Sequence, residues 1–289
     1  KDLHSNNADV ERMQQIFAAQ KAAYRQHPYP SAEQRIELIN RIKPMLLDNL
    51  DAWIEALNND FTTRAADETK LAEMLITLEG LKYTTKKLRK WMKPQKRSVS
   101  ALSWPGKTWV EYQPLGVVGI ISPWNYPLSI PFGEIVMGLM AGNAVLLKVA
   151  AATPAVGRAI EQIIAAGELP EGLFHHIVGS GSKVATGFFE NGVDKLFFTG
   201  SVPAGKTLMA QAAETLTPVS LELGGNDPML VLEDADLERA TNGAAWAGYQ
   251  NAGQSCGGVE RVYVVDAVYD QFVDLLAKKP RQLRHGVGC

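Results

Sequence analysis

The sequence predicts an α/β fold, a doubly wound parallel sheet preceded by an N-terminal helical region, and three observations support this. From Gly116 onward, short β-branched runs alternate with helical stretches, the pattern of parallel strands joined by crossover helices. Upstream, apolar residues recur at helical spacing. The chain has 289 residues, 46% of them hydrophobic, enough to bury a large core and to divide into two domains.

The N-terminal region reads as three amphipathic helices. Val10, Met13, Ile16 and Phe17 mark the first. Ile36, Ile39, Ile42, Leu46, Leu50, Trp53 and Leu57 mark the second, and Leu71, Leu75 and Leu78 the third. Ser31 offers an N-cap for the second, just after the breaker run Pro28-Tyr29-Pro30. A basic run follows (Lys82, Lys86, Lys87, Arg89, Lys90, Lys93, Lys96, Arg97). Without interleaved stacking aromatics it reads as a solvated helix face rather than a phosphate surface. Strands are then predicted at 117–122, 144–148, 174–178, 195–199, 219–223 and 229–232, with helices at 131–141, 154–166, 183–190, 203–213 and 237–249. A sheet of this kind binds ligands at the carboxyl ends of its strands.

With 29 basic and 31 acidic residues and a net charge of −2, nothing draws the molecule to nucleic acid or to an anionic membrane surface. Cys256 and Cys289 are the two cysteines; they make no disulfide framework and suggest a reducing compartment. No apolar run is long enough to span a membrane, and the polar start at residues 1–7 lacks a signal peptide's apolar core. A cytoplasmic location is expected. No metal-ligating cluster is predicted.

Four segments carry chemistry. In Asn251-Ala252-Gly253-Gln254-Ser255-Cys256-Gly257-Gly258 a thiol lies among small residues that permit close approach. A thiolate there adds readily to a carbonyl, although an isolated cysteine is more often a small buried side chain. In Pro218-Val219-Ser220-Leu221-Glu222-Leu223-Gly224-Gly225 one acid interrupts an apolar strand. Apolar surroundings would suit it to general-base work; a salt-bridged structural carboxylate explains it equally. Ile121-Ser122-Pro123-Trp124-Asn125-Tyr126-Pro127 runs from a strand into a rigid turn presenting an amide. Such an amide can hold an oxyanion or can simply form an Asx-turn. In Phe198-Thr199-Gly200-Ser201-Val202-Pro203-Ala204-Gly205 a strand, a glycine turn and a helix start could cradle a phosphate. Alone, that pattern is equally a plain βα-turn.

Together, in this order, the four segments resemble the aldehyde dehydrogenase family. Lys148 with Thr153-Pro154, and Arg261 beyond Cys256, also match. The resemblance implies a Rossmann-type NAD(P)-binding domain over 1–246, with helices at 8–93, an oligomerisation-type segment at about 100–116 and a core at 117–246. It implies the start of a second, α/β catalytic domain at 247–289. Cys256 would attack an aldehyde, Asn125 and the Cys256 backbone N–H would hold the oxyanion, and Glu222 would activate water against the thioester. Lys148 would hold the adenosine ribose, Gly200 and Ser201 the pyrophosphate, Thr199 the nicotinamide, and Trp124 would line the cleft. Ser122, Ala151, Gly205 and Leu223 complete the expected NAD or NADP site. The resemblance also implies a homo-oligomer, a dimer or tetramer, in the intact protein.

Three departures from the family pattern stand out. Lys148-Val149-Ala150-Ala151 replaces the Lys-Pro-Ser-Glu of many NAD-preferring members, so that Ala151 stands where an acid holds the ribose hydroxyls. Removing that carboxylate removes repulsion against a 2′-phosphate and predicts NADP tolerance. Asn226 stands where lysine is common. The sequence reaches Cys289 without the family's Glu-x-Phe-Gly-Pro segment, and an incomplete catalytic domain is expected. A catalytically silent nucleotide-binding fragment is the alternative function. Transfer of the acyl group to coenzyme A is a third, disfavoured by the acid at Glu222.

Overall fold

The computed structural model describes residues 8–283. The polar start and the last residues, Cys289 among them, lie outside the described residues. The chain opens with α1 (Ala8–Glu11), α2 (Met13–Gln26), α3 (Ala32–Asp48) and α4 (Leu50–Phe61). A continuous helical stretch follows, formed by α5 (Ala66–Glu68), a π-helical segment (Thr69–Leu75) and α6 (Ile76–Trp91). Ser31 caps α3 in a capping box: the Gln34 N–H donates to Ser31 Oγ at 3.2 Å and the Ser31 N–H to Gln34 Oε1 at 2.7 Å. The single second helix expected from the 36–57 pattern is two helices. Asn49 leaves helical geometry at φ −112°, ψ 25°, and its side-chain amide donates back to the Met45 carbonyl. The turn lets Leu46 and Leu57, both fully buried, enter one core, each contributing roughly 1.5–3 kcal/mol.

A small antiparallel hairpin, β1 (Gln95–Arg97) with β2 (Thr108–Val110), precedes the main sheet. The sheet contains β3 (Val117–Ile121), β4 (Ala144–Lys148), β5 (Phe174–His176), β6 (Lys195–Gly200) and β7 (Val219–Leu223). All pairings are parallel and the order is β5-β4-β3-β6-β7. Its connecting helices are α7 (Ser129–Met140), α8 (Pro154–Ala166), α9 (Gly181–Glu190) and α10 (Val202–Thr215). Alternation along the strands sorts the core onto two faces. Val118, Ile120, Val145 and Leu147 join the cluster of α3, α4, α6, α7 and α8. Val117, Ile121, Leu146 and Leu196 join that of α2, α9 and α10. Buried on both faces, β3 and β4 read as unbroken apolar runs.

The strand expected at 229–232 is not part of this sheet. It is β8 (Asp227–Val231), and it pairs in parallel with β9 (Val259–Val264) in a separate two-stranded sheet. α11 (Leu237–Tyr249) crosses between them and α12 (Tyr269–Lys278) follows. A strand's composition fixes its conformation but not its partner, and Gly224-Gly225-Asn226 redirects the chain after β7.

Candidate active site

The strand order reverses between β3 and β6, and in a sheet of this kind the crevice for a ligand lies beyond the carboxyl ends of the strands at such a switch point. Ser122 and Thr199 lie there, and both hydroxyls are buried without a hydrogen-bond partner. Such orphaned groups are rare unless a ligand or ion completes them. Beside them Ser201 caps α10, its hydroxyl accepting from the Ala204 N–H at 3.4 Å. The helix N-terminus favours an anion. Gly205 lets α10 approach β7, because a β-carbon there would meet a Leu223 methyl at 2.8 Å. Lys148 is buried at the end of β4, and burial pushes its ammonium down from the usual lysine value. Ala151 is exposed in the turn between β4 and α8, and Trp124 is half-exposed. These residues suit a dinucleotide: buried donors at the crevice, a helix N-terminus for phosphate and a cation at its side.

Across the crevice, a hydrogen-bond network binds the Asn125 loop to the Cys256 turn. The Asn125 side-chain amide donates to the Gln254 carbonyl at 2.9 Å. The buried Asn251 amide donates to the Asn125 carbonyl at 2.9 Å and to that of Gln254 at 3.2 Å. Gln250 adds a bond to the Tyr126 hydroxyl at 3.0 Å. Asn251, Ala252 and Gly253 all take positive φ, 50°, 56° and 76°. For Ala252 this backbone costs of order 1–3 kcal/mol, which the network offsets. The chain then makes a tight turn, with the Gly258 N–H donating to the Ser255 carbonyl at 3.2 Å. Cys256 occupies a corner of that turn as a free, exposed thiol. Among the described residues its backbone N–H has no acceptor.

A family model described as the aldehyde dehydrogenase family matches residues 3–288. The chain belongs to the aldehyde dehydrogenase family. It is 39% identical to a probable coniferyl aldehyde dehydrogenase of Pseudomonas aeruginosa, over 94% of this chain and 56% of that protein. Among solved structures it is similar to an NADP-dependent enzyme of E. coli, with a TM-score of 0.90 and 28% identity over 96% of this chain and 57% of that one. It is also similar to PnpE in complex with nicotinamide adenine dinucleotide, with a TM-score of 0.88 and 25% identity over 96% and 56% of the two chains. The chain thus spans about half the length of the relatives it matches.

Within this aldehyde dehydrogenase fold, the predicted residues divide between two neighbouring elements of the crevice. Asn125 and the Cys256 turn meet directly, whereas Glu222 lies apart from that network on β7, where it pairs in register with Thr199. The apolar run around Glu222 suggested a sheltered acid, but its side chain is exposed, because one face of β7 is uncovered by the described residues. Arg261 donates to the Asn226 carbonyl; nothing in the structure explains the asparagine side chain itself.

Sequence reasoning missed several residues here. Asn251 was legible only as part of a small-residue run. Glu134 is a lone acid within the apolar helix α7; burial, with the Glu222 carboxylate adding to it, pushes its carboxyl up to about 8. An acid inside Phe132-Gly133-Glu134-Ile135-Val136 was the available signal. Among the described residues there is no cluster able to hold a metal, and no helix is long and apolar enough to cross a membrane.

Proposed function

We propose that this chain carries the cofactor crevice and nucleophile of an enzyme oxidising aldehydes to carboxylic acids with NAD or NADP. One observation carries the reading: Asn125 and the Cys256 turn are held on one hydrogen-bond network at the switch point of the sheet. An amide has two N–H donors. One is anchored on Gln254, leaving the second for a ligand beside the turn.

In this reading the Cys256 thiolate adds to the aldehyde carbon. The oxyanion accepts from the free Asn125 N–H and the Cys256 backbone N–H. A nicotinamide dinucleotide, when bound, supplies the hydride acceptor that converts the thiohemiacetal to a thioester. Glu222, open to water on β7, takes a proton from the water that attacks the thioester carbon, and the acid leaves as the Cys256 thiolate is restored. Ser122, Thr199, Gly200 and Ser201 meet the dinucleotide in the crevice, with Lys148 and Ala151 toward its adenosine end and Trp124, Gly205 and Leu223 shaping the walls. Ala151 leaves space and no repulsive charge for a 2′-phosphate, which favours NADP tolerance.

The relative named for coniferyl aldehyde directs the substrate proposal to an aromatic or similarly apolar aldehyde. A reducing compartment such as the cytoplasm suits an exposed nucleophilic thiol. The hairpin and its connection expose Leu102, Trp104, Trp109 and Tyr112, which supports assembly into a homo-oligomer through that segment.

The test is cofactor reduction followed by absorbance across a panel of aromatic and aliphatic aldehydes with NAD and NADP. Signal is expected with the natural polypeptide and absent in Cys256→Ala. Cofactor binding without Cys256-dependent reduction or esterase activity would instead favour the silent nucleotide-binding alternative.

A further inference from the structure

The loop bearing Asn125 is gripped from behind by two charged side chains the chemistry above does not use. Arg64 lies between α4 and α5, and Glu73 lies in the π-helical segment. They form an ion pair at 2.9 Å with side-chain exposures of 3% and 0%. Both reach the same loop. The Arg64 guanidinium approaches the Asn125 carbonyl at 3.4 Å and lies over the Tyr126 ring, 5.7 Å from its centroid. Glu73 Oε2 accepts from the Ser129 N–H at 2.6 Å and the Leu128 N–H at 3.2 Å, at the start of α7. One charge therefore holds the loop at its amide-bearing residue and the other at its exit.

Arg64 also lies over the Phe61 ring, 4.8 Å from its centroid. Arg64 Nε and Nη2 are buried without partners, and a pair so desolvated is weak evidence for a contribution to stability. The π-helical turn that carries Glu73 is a rare conformation, found disproportionately at functional sites. We propose that Arg64 and Glu73 are positioning residues that fix the Asn125 amide over the Cys256 turn. Their effect on the reaction passes through Asn125, so it vanishes when that amide is removed. This inference rests on the oxyanion role assigned to Asn125 above.

The experiment is a double-mutant cycle in the natural full-length polypeptide with its nicotinamide cofactor, reading the burst of cofactor reduction. The paired variant Arg64→Met with Glu73→Gln removes both charges and leaves none buried alone. It is expected to slow the burst by ~10- to 100-fold, the scale of an ångström misplacement, while the cofactor dissociation constant changes less than about twofold. In an Asn125→Ala background the same pair is expected to cost almost nothing further. An undiminished effect in that background, or no effect in the Asn125-bearing protein, overturns the proposal. If Asn125→Ala alone leaves the burst unchanged, the oxyanion reading fails and the proposal falls with it. Should the paired variant not fold, Arg64→Lys, which keeps the charge but loses the fork, is read in the same cycle. It is expected to give a smaller fall that the Asn125→Ala background suppresses, and an unsuppressed fall is again contradictory.

Discussion

Glu134 is half-buried in α7, with its Oε2 shut away from solvent and unpartnered, and burial together with Glu222 raises its carboxyl to about 8. The folded protein therefore keeps a proton that the unfolded chain releases at the ordinary carboxylate value. Stability is greatest below that ordinary value and falls as pH rises toward about 8. Glu134→Gln is expected to flatten this slope, raising the melting temperature more at about pH 8 than at about pH 5; an equal shift at both would contradict the burial argument. Ala151 carries a second expectation. Ala151→Glu restores a carboxylate in the turn after β4 and should move the ratio of kcat/KM values from NADP toward NAD by ~10-fold, about 1.4 kcal/mol. An unchanged ratio would place the 2′-phosphate elsewhere.

Helices with punctuation at both ends were legible from the chain. α8 begins at Pro154, and α11 begins after Asp236, which caps it through the Arg239 N–H; both agree with the ranges read from sequence. The capping box at Ser31 is similarly local, and Ser31→Ala is expected to cost about 1 kcal/mol in denaturant unfolding. What the sequence did not disclose depends on partners distant along the chain. The strand at Asp227–Val231 was visible, but its pairing with Val259–Val264 across α11 was not. The hairpin of Gln95–Arg97 with Thr108–Val110 has strands of three residues each, too short for an alternation signal. The site shows the same division. Cys256 and Asn125 stand in distinctive local runs, while Arg64 and Glu73 acquire significance only where the fold brings them against a loop some 50 to 60 residues away.

At the scale of the molecule, two cores flank the five-stranded sheet, and a much smaller one, built on Val231, Ala244 and Phe272, serves the second sheet. The Cys256 turn lies in the crossover between β8 and β9, so in the proposed reading the five-stranded sheet presents the residues for the cofactor and this crossover presents the thiol. Trp104, 78% exposed beside the β1–β2 hairpin, marks the proposed assembly surface. In sedimentation of the natural polypeptide, Trp104→Asp is expected to lower the oligomeric state, and an unchanged sedimentation coefficient would exclude that surface. The central claim is covalent catalysis at Cys256 resolved by Glu222, and intact-protein mass spectrometry tests it most directly. After Glu222→Gln protein is mixed with an aldehyde and oxidised cofactor, Cys256 is expected to carry an acyl group, a gain equal to the aldehyde less two hydrogens. An unmodified Cys256 in a protein that still turns over aldehyde, or an acyl group on another residue, would contradict the account.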